Sequence, residues 1–264
     1  MVPSVIFIIP YRNREEQRKI FEKEMKDYLE YIKLENYEFY FICQKDERRF
    51  NRGAMKNLGF LYIKYKYPLD YKNITLVFND IDTLPTKESD IRFETTEGTI
   101  AHYYGFDFAL GGIFAIKGGD FEKTSGFPNY WHWGFEDNCL HNRALKMGLK
   151  IDRTTFYKLH FNHSSNFKYI IRLDADDSSI KLLSDYDIGF YNGRAHENIF
   201  NGGFKEIQKV NTDVKTTDVK TTDVNMYHFE CEIDYDKSVK GEFKQNFVKT
   251  NQVNMVPQFR MFYI

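Results

Sequence analysis

The chain has 264 residues, of which 42% are hydrophobic and 28% charged, and its 37 Lys+Arg nearly balance its 38 Asp+Glu for a net charge of −1. That length fits one large α/β domain or two small ones with a substantial core. So even a balance gives no global field to recruit nucleic acid or an anionic membrane, and an anionic ligand must be handled locally. The three cysteines, Cys43, Cys139 and Cys231, lie far apart with no CxxC spacing, which points to reduced thiols rather than a zinc site or a disulfide framework. The apolar run VIFIIP is too short for a signal-peptide core or a membrane span, so the sequence alone predicts a cytoplasmic protein without a transmembrane anchor.

In chain order, Ser4 to Pro10 reads as a buried strand, continuous, β-branched and stopped by proline. The segment EEQRKIFEKEMKDYLEYIKL follows as an amphipathic helix whose Ile20, Phe21, Met25, Tyr28 and Ile32 recur at helical spacing. YEFYFICQ is a second strand, RGAMKNLGFLYIKYKY a second helix, and NITLVFND a third strand ending in acid. Strand, helix, strand, helix, strand is the pattern of a parallel sheet with helical crossovers, and ligands bind such sheets beyond the carboxyl ends of their strands. TIAHYYGFDF and GGIFAIKGGDF look like further strands. EDNCLHNRALKMG reads as a helix with Leu140, Ala144 and Met147 on one face, closed by Gly148. The repeat TDVKTTDVKTTDVN, Thr212 to Asn225, matches neither strand nor helix periodicity and is expected to be a flexible insertion between the strands GGFKEIQKV and MYHFECEID.

Four segments carry chemistry, and each has a bland reading beside the functional one. Asp80-Ile81-Asp82 at the end of the third strand can present carboxylate oxygens to a divalent cation, or can simply form a turn or cap a helix. His160 and His163 are spaced to share a metal with a distant carboxylate, or are unrelated loop histidines. Arg12 and Arg14, with Arg52 before the second helix, suit phosphate oxygens or serve as surface ion pairs. Glu136 and Asp137 open a predicted helix, where capping explains an acid. Capping does not explain the WHW beside them. An aromatic platform next to a carboxylate suits a sugar whose hydroxyl is to lose a proton.

Taken together and in order, IIPYRNREEQ, FNRGAMKNLGF, FNDIDTLP, GGIFAIKGGDFEKTSGFPNYWHWGFEDN and the histidine segment resemble the β-1,4-galactosyltransferase family of inverting, metal-dependent GT-A glycosyltransferases, over roughly Ser4 to His163. The resemblance implies an α/β fold of GT-A type, Rossmann-like, with a mostly parallel central sheet flanked by helices in a single domain. Within residues 1–264 it implies a nucleotide-sugar-binding half at 1–110, an acceptor and catalytic half at 111–205, the repeat insertion at 212–225 and C-terminal strands at 226–264. It further implies a donor pocket from Pro10, Tyr11, Arg12, Arg14, Phe50, Arg52, Asp80, Ile81, Ala109 and Gly112, with Trp133 lining donor and acceptor. Asp82, His160 and His163 would hold Mn²⁺ or another divalent cation, and Asp137, beside Glu136, takes the place of the catalytic base. Trp131 is assigned to packing.

The chain departs from the family pattern at Phe135, which replaces a glycine, and at Asn138-Cys139, which replace two aspartates. Ala109 stands where the family carries a bulky aromatic. A small residue there admits an N-acetyl group, so UDP-galactose and UDP-N-acetylgalactosamine are both expected donors, with a glycan or glycoconjugate as acceptor. The missing luminal anchor and disulfides again point to a cytosol, including that of a host for a virus or parasite. Two rival classes stay open at this stage: a metal-dependent phosphohydrolase acting on nucleotide sugars, and a catalytically inactive carbohydrate-binding protein.

Overall fold

The computed structural model describes residues 2–131, 134–159, 168–173, 202–232 and 235. Its first half follows the expected alternation closely: β1 (Val5–Tyr11), α1 (Glu15–Tyr31), β2 (Tyr37–Gln44), α2 (Arg52–Lys66) and β3 (Thr75–Asn79). A short β4 (Thr83–Pro85) precedes β5 (Thr99–Gly105), β6 (Ile113–Lys117), α3 (Gly118–Lys123) and α4 (Glu136–Lys146). Then come β7 (Lys150–Asp152), β8 (Tyr157–Lys158), β9 (Ile170–Arg172), β10 (Gln208–Asp218) and β11 (Thr221–Glu230).

The central sheet runs β10-β11-β2-β1-β3-β6-β5-β7, with β8 also on β5, while β4 and β9 form a separate pair. β1 pairs parallel with both β2 and β3, as the helical crossovers require. β6 enters antiparallel between β3 and β5, so the sheet is mixed but mostly parallel. Alternation along β1 divides the core. Ile6 and Ile8 face the α2 side with Phe60, Phe78 and Phe127, whereas Phe7 and Ile9 face the α1 side with Phe21, Met25 and Phe41. The α1 face is therefore centred on Phe21, Met25, Tyr28 and Leu29, and Ile20 is 45% exposed because it lies one position off that stripe.

Three local expectations change. The segment after β5 leaves the sheet at Gly105, so Phe106 to Phe108 form a turn rather than the end of a strand. In GGIFAIKGGDF only Ile113–Lys117 is strand, and the glycines after it open α3. Met147 is exposed because α4 ends one residue before it, and Gly148 takes the left-handed conformation (φ 75°) that closes the helix.

The TDVKT repeat is the largest difference: it is an ordered hairpin, not a loop. Its first copy lies on β10 and its third on β11, with Val214 opposite Val224 and Lys215 opposite Asp223. The middle copy supplies the turn, where Asp218 Oδ1 accepts the Lys220 N–H at 2.7 Å. β11 then pairs parallel with β2 from Thr221 to Met226, and Asp223 binds Arg18 of α1 at 2.6 Å. A five-residue period hides this arrangement because the copies are not collinear: one pairs with another across a turn.

At the start of α2, Asn51 caps the helix, its side-chain oxygen accepting the Ala54 N–H at 3.0 Å. The Asn51 main chain also donates to Gln44 Oε1 at 2.8 Å, tying the helix start to the carboxyl end of β2. Asn51→Ala is expected to lower stability by about 1–2 kcal/mol in a urea titration, since it removes the cap from a buried helix start.

Candidate active site at the carboxyl ends of the central strands

α2 and α4 begin beside each other at the carboxyl end of the sheet, and both bring charge inward. Arg52, the first residue of α2, donates Nε to Glu136 Oε1 at 2.6 Å and Nη2 to Asp137 Oδ2 at 3.0 Å, with Nη1 at 3.4 Å from Asp80 Oδ2. Its Nη2 also contacts Glu136 Oε1. Four residues later, on the same face of α2, Lys56 places Nζ 3.2 Å from Asp137 Oδ1 and 3.7 Å from Asp80 Oδ1. The cluster thus joins the two expected acids of α4 to the first acid of the DID segment.

Backbone contacts lock this arrangement to the neighbouring turn. Leu110 N–H donates to the Asp137 carbonyl at 3.0 Å, and Asp80 N–H donates to the Gly112 carbonyl at 3.1 Å. A Cβ on Gly111 would stand 2.5 Å from Asp137 Oδ2, so glycine is what lets the carboxylate lie against the main chain. His102 braces the same turn. Arg153 Nε donates to His102 Nδ1 at 3.2 Å, which leaves the proton on Nε2 to face the Tyr104 and Gly111 carbonyls at 3.1 and 3.2 Å. Burial, then the Arg153 charge, pushes the imidazole down to about 3, so it stays neutral at physiological pH.

The charges in the cluster do not cancel. Arg52 and Lys56 face Asp80, Glu136 and Asp137, leaving one surplus carboxylate in a buried setting. The strain falls on Asp137, pushed up to about 6 by burial first and then by the adjacent Glu136, against the opposing pull of Lys56 and Arg52. Burial acts on Asp80 in the same sense, but there Arg52, Lys56 and, more weakly, Arg172 prevail and hold it below the usual carboxylate range. Glu136 Oε2 and Asp80 Oδ1 are buried and accept no hydrogen bond among the described residues.

A second group surrounds Asp82. Its Oδ2 lies 3.6 Å from Arg14 Nη1 and 3.8 Å from Arg172 Nη2, and its Oδ1 accepts from the Thr83 hydroxyl at 3.1 Å. Planar guanidiniums of this kind suit an anion such as a phosphate. Asp82 also offers the hard oxygen that a divalent cation prefers. Among the described residues no group of three or more His, Cys, Asp or Glu side chains could hold a metal ion. His160 and His163 lie outside the described residues, as does Trp133.

The remaining expected residues occupy different roles. Pro10 and Tyr11 end β1, and the side chains of Tyr11 and Ile81 are buried in the α1-side core. Phe50 packs partly buried against the α2-side core, and Arg12 donates to the Arg48 carbonyl. Ala109 is buried in the turn between β5 and β6, next to the Leu110 contact with Asp137. Trp131 is a core residue, stacked on Phe229 with 5.0 Å between ring centroids and covered by the Arg48 guanidinium at 4.4 Å. Phe135 adopts a left-handed backbone (φ 65°), the conformation in which the glycine of the family pattern would be free of strain. Sequence reasoning missed Lys56 and His102. A lone lysine in an amphipathic helix gives no signal of burial, though its place four residues after Arg52 would have put both on one face.

Comparison with known proteins bears on this geometry. The model of the N-terminal region of glycosyl transferase group 7 matches residues 2–93, and that of the N-terminal domain of galactosyltransferase matches residues 93–165. β-1,4-Galactosyltransferase 1 of Bos taurus is 33% identical over 160 residues, covering 57% of this chain and 38% of that protein. β-1,4-Galactosyltransferase 5 of Sus scrofa is 28% identical over 183 residues, covering 64% of this chain and 46% of that protein. The chain therefore aligns with less than half the length of these relatives. Among solved structures, the catalytic domain of Drosophila β1,4-galactosyltransferase 7 in complex with xylobiose superposes with a TM-score of 0.69 at 19% identity, over 90% of this chain and 98% of that one. A mutant of the same enzyme in complex with manganese, UDP-Gal and xylobiose superposes with a TM-score of 0.66 at 18% identity.

The expected cytoplasmic location is corrected by these relatives, which are Golgi-resident type II membrane proteins. No helix among the described residues is long and apolar enough to cross a membrane, but that property of one segment says nothing of where the protein resides. With the two family models matched in order across residues 2–165 and the GT-A fold beneath them, the chain belongs to the β-1,4-galactosyltransferase family.

Proposed function

We propose that this chain is an inverting, metal-dependent transferase that moves galactose or N-acetylgalactosamine from a UDP-sugar to a hydroxyl of an acceptor glycan, forming a β-1,4 linkage. The observation that carries this reading is the position of Asp137, held between two cations at the carboxyl end of the sheet with its side chain 14% exposed, and pushed up to about 6. A carboxylate of that kind is ionised at neutral pH yet close enough to it to accept a proton efficiently. Asp137 takes the proton of the acceptor hydroxyl as its oxygen bonds to the anomeric carbon and the bond from that carbon to UDP breaks on the opposite face. Arg52, itself bound by Glu136, would hold the base in place, and Arg14 and Arg172, beside Asp82, would neutralise the diphosphate. Asp82 is the described residue suited to a divalent cation, with His160 and His163 as its proposed companions. A cation held there supplies charge stabilisation to the departing diphosphate.

Support also comes from the names of relatives such as β-1,4-galactosyltransferases 1 and 5, and from the structural neighbour bound to manganese, UDP-Gal and xylobiose. The small, buried Ala109 leaves the donor choice between galactose and its N-acetylamino counterpart to the experiment. A panel of UDP-sugars is offered with a glycan array and Mn²⁺, and products are read by mass. The reading predicts one added hexose or N-acetylhexosamine per acceptor, with UDP released in equal amount. Stoichiometric free sugar despite the acceptor would identify a hydrolase, and glycan binding without UDP release a binding protein.

A further inference from the structure

Lys56 is an unusual residue for its location. Its neighbours on the inner face of α2 are Ala54, Met55, Leu58, Phe60 and Ile63, yet its own side chain is only 1% exposed. A methionine or leucine would fill the space without desolvating an ammonium, a cost of several kcal/mol when the charge is unpaired. The site offsets that cost: Nζ meets Asp137 and Asp80 and lies 4.7 Å from the centre of the Phe127 ring.

The two cations of α2 grip different atoms of the same carboxylate. Arg52 takes Asp137 Oδ2 and Lys56 takes Oδ1, so the plane of the carboxylate is fixed by a donor at each end. Among the described residues the other charged groups facing Asp137 are acids, Glu136 beside it on α4 and Asp80 after β3, while Gly111 presents main chain alone. Without Lys56, Arg52 would be the one described cation paired with Asp137, and it is shared with Glu136 and Asp80. We propose that Lys56 is a positioning residue for this reaction, orienting Asp137 and keeping it ionised at the moment it must accept the acceptor's proton. This rests on the reading of Asp137 as the base.

The test compares Lys56→Met, Lys56→Gln and Lys56→Arg in the full chain. Two readouts are taken: the pH dependence of kcat for sugar transfer, and the carboxyl ¹³C NMR titration of Asp137, assigned by its loss in Asp137→Asn. The uncharged variants should move both midpoints up by about one pH unit or more, with kcat returning to within a few-fold of wild type at alkaline pH. Lys56→Arg should remain near the wild-type midpoint. Lys56→Gln keeps a hydrogen-bond donor without the charge and serves should Lys56→Met fail to fold. A loss of activity by the same factor at every pH, or an unmoved NMR midpoint, would overturn the proposal. Should wild type transfer no sugar at all, the reading of the base fails, whereas the NMR titration still decides whether Lys56 holds Asp137 ionised.

Discussion

Asp137→Asn is expected to lower kcat for sugar transfer by roughly 10²–10⁴-fold, the usual contribution of a positioned general base. Affinity for the UDP-sugar, measured by calorimetry, should change only a few-fold, because the amide keeps the shape of the side chain and Asp80, Glu136 and Asp82 remain. In wild type the acid limb of the kcat/KM profile should have its midpoint near 6, where Asp137 of the free enzyme takes up its proton, and the limb should vanish in the residual activity of the variant. Stability should move in the opposite direction to activity. A carboxyl raised above its ordinary value binds its proton more tightly when folded, so its contribution to stability falls as pH rises from about 3.8 to about 6. Asp137→Asn removes that slope and leaves Arg52 and Lys56 facing Asp80 and Glu136 in balance. The variant is expected to be at least as stable as wild type at pH 7 and to lose that advantage at pH 4. Full activity in Asp137→Asn would remove this residue from the scheme, and a large loss of stability at pH 7 would contradict the charge surplus.

The first half of the fold was legible because continuous buried strands and stopped amphipathic helices leave a direct trace in the sequence. β1 to β3 and the two helices between them fall within two or three residues of their expected limits. The repeat was not legible, because cross-strand pairing of its first and third copies is a long-range fact that a five-residue period obscures. At the site, the acids and Arg52 were readable as motif positions, but their mutual contacts were not. Nothing in FNRGAMKN says that Arg52 meets three carboxylates from two different segments, or that Lys56 is buried. Those facts depend on how closely α2 and α4 begin beside the end of β3. Trp131, assigned to packing from the sequence, is a core residue against Phe229.

Arg52→Met should be the most damaging single change to the folded state. The guanidinium side chain, 20% exposed, meets Glu136, Asp137 and Asp80, and no other described group bridges all three. Its removal leaves the buried Glu136 without its cation and the largely enclosed Asp80 and Asp137 with Lys56 as their main counter-charge. Breaking a buried ion pair from one side costs about 3–5 kcal/mol, because the stranded charge remains desolvated. Against a total stability of roughly 5–15 kcal/mol for a domain, that loss would bring a marginal protein close to unfolding. The effect should be pH-dependent, since the stranded acids can escape by taking up protons. Urea unfolding at pH 7.5 and at pH 5.5 should therefore show the larger deficit at pH 7.5. Arg52→Lys restores the charge but not the planar fork, and a single ammonium cannot span three carboxylates as five N–H donors can. It should recover part of the stability and little of the activity, because Asp137 would still lack its donor on Oδ2. If Arg52→Met loses less than about 1 kcal/mol at pH 7.5, the guanidinium is a solvated surface charge rather than the organiser of the cluster, and the ledger of two cations against three acids is wrong.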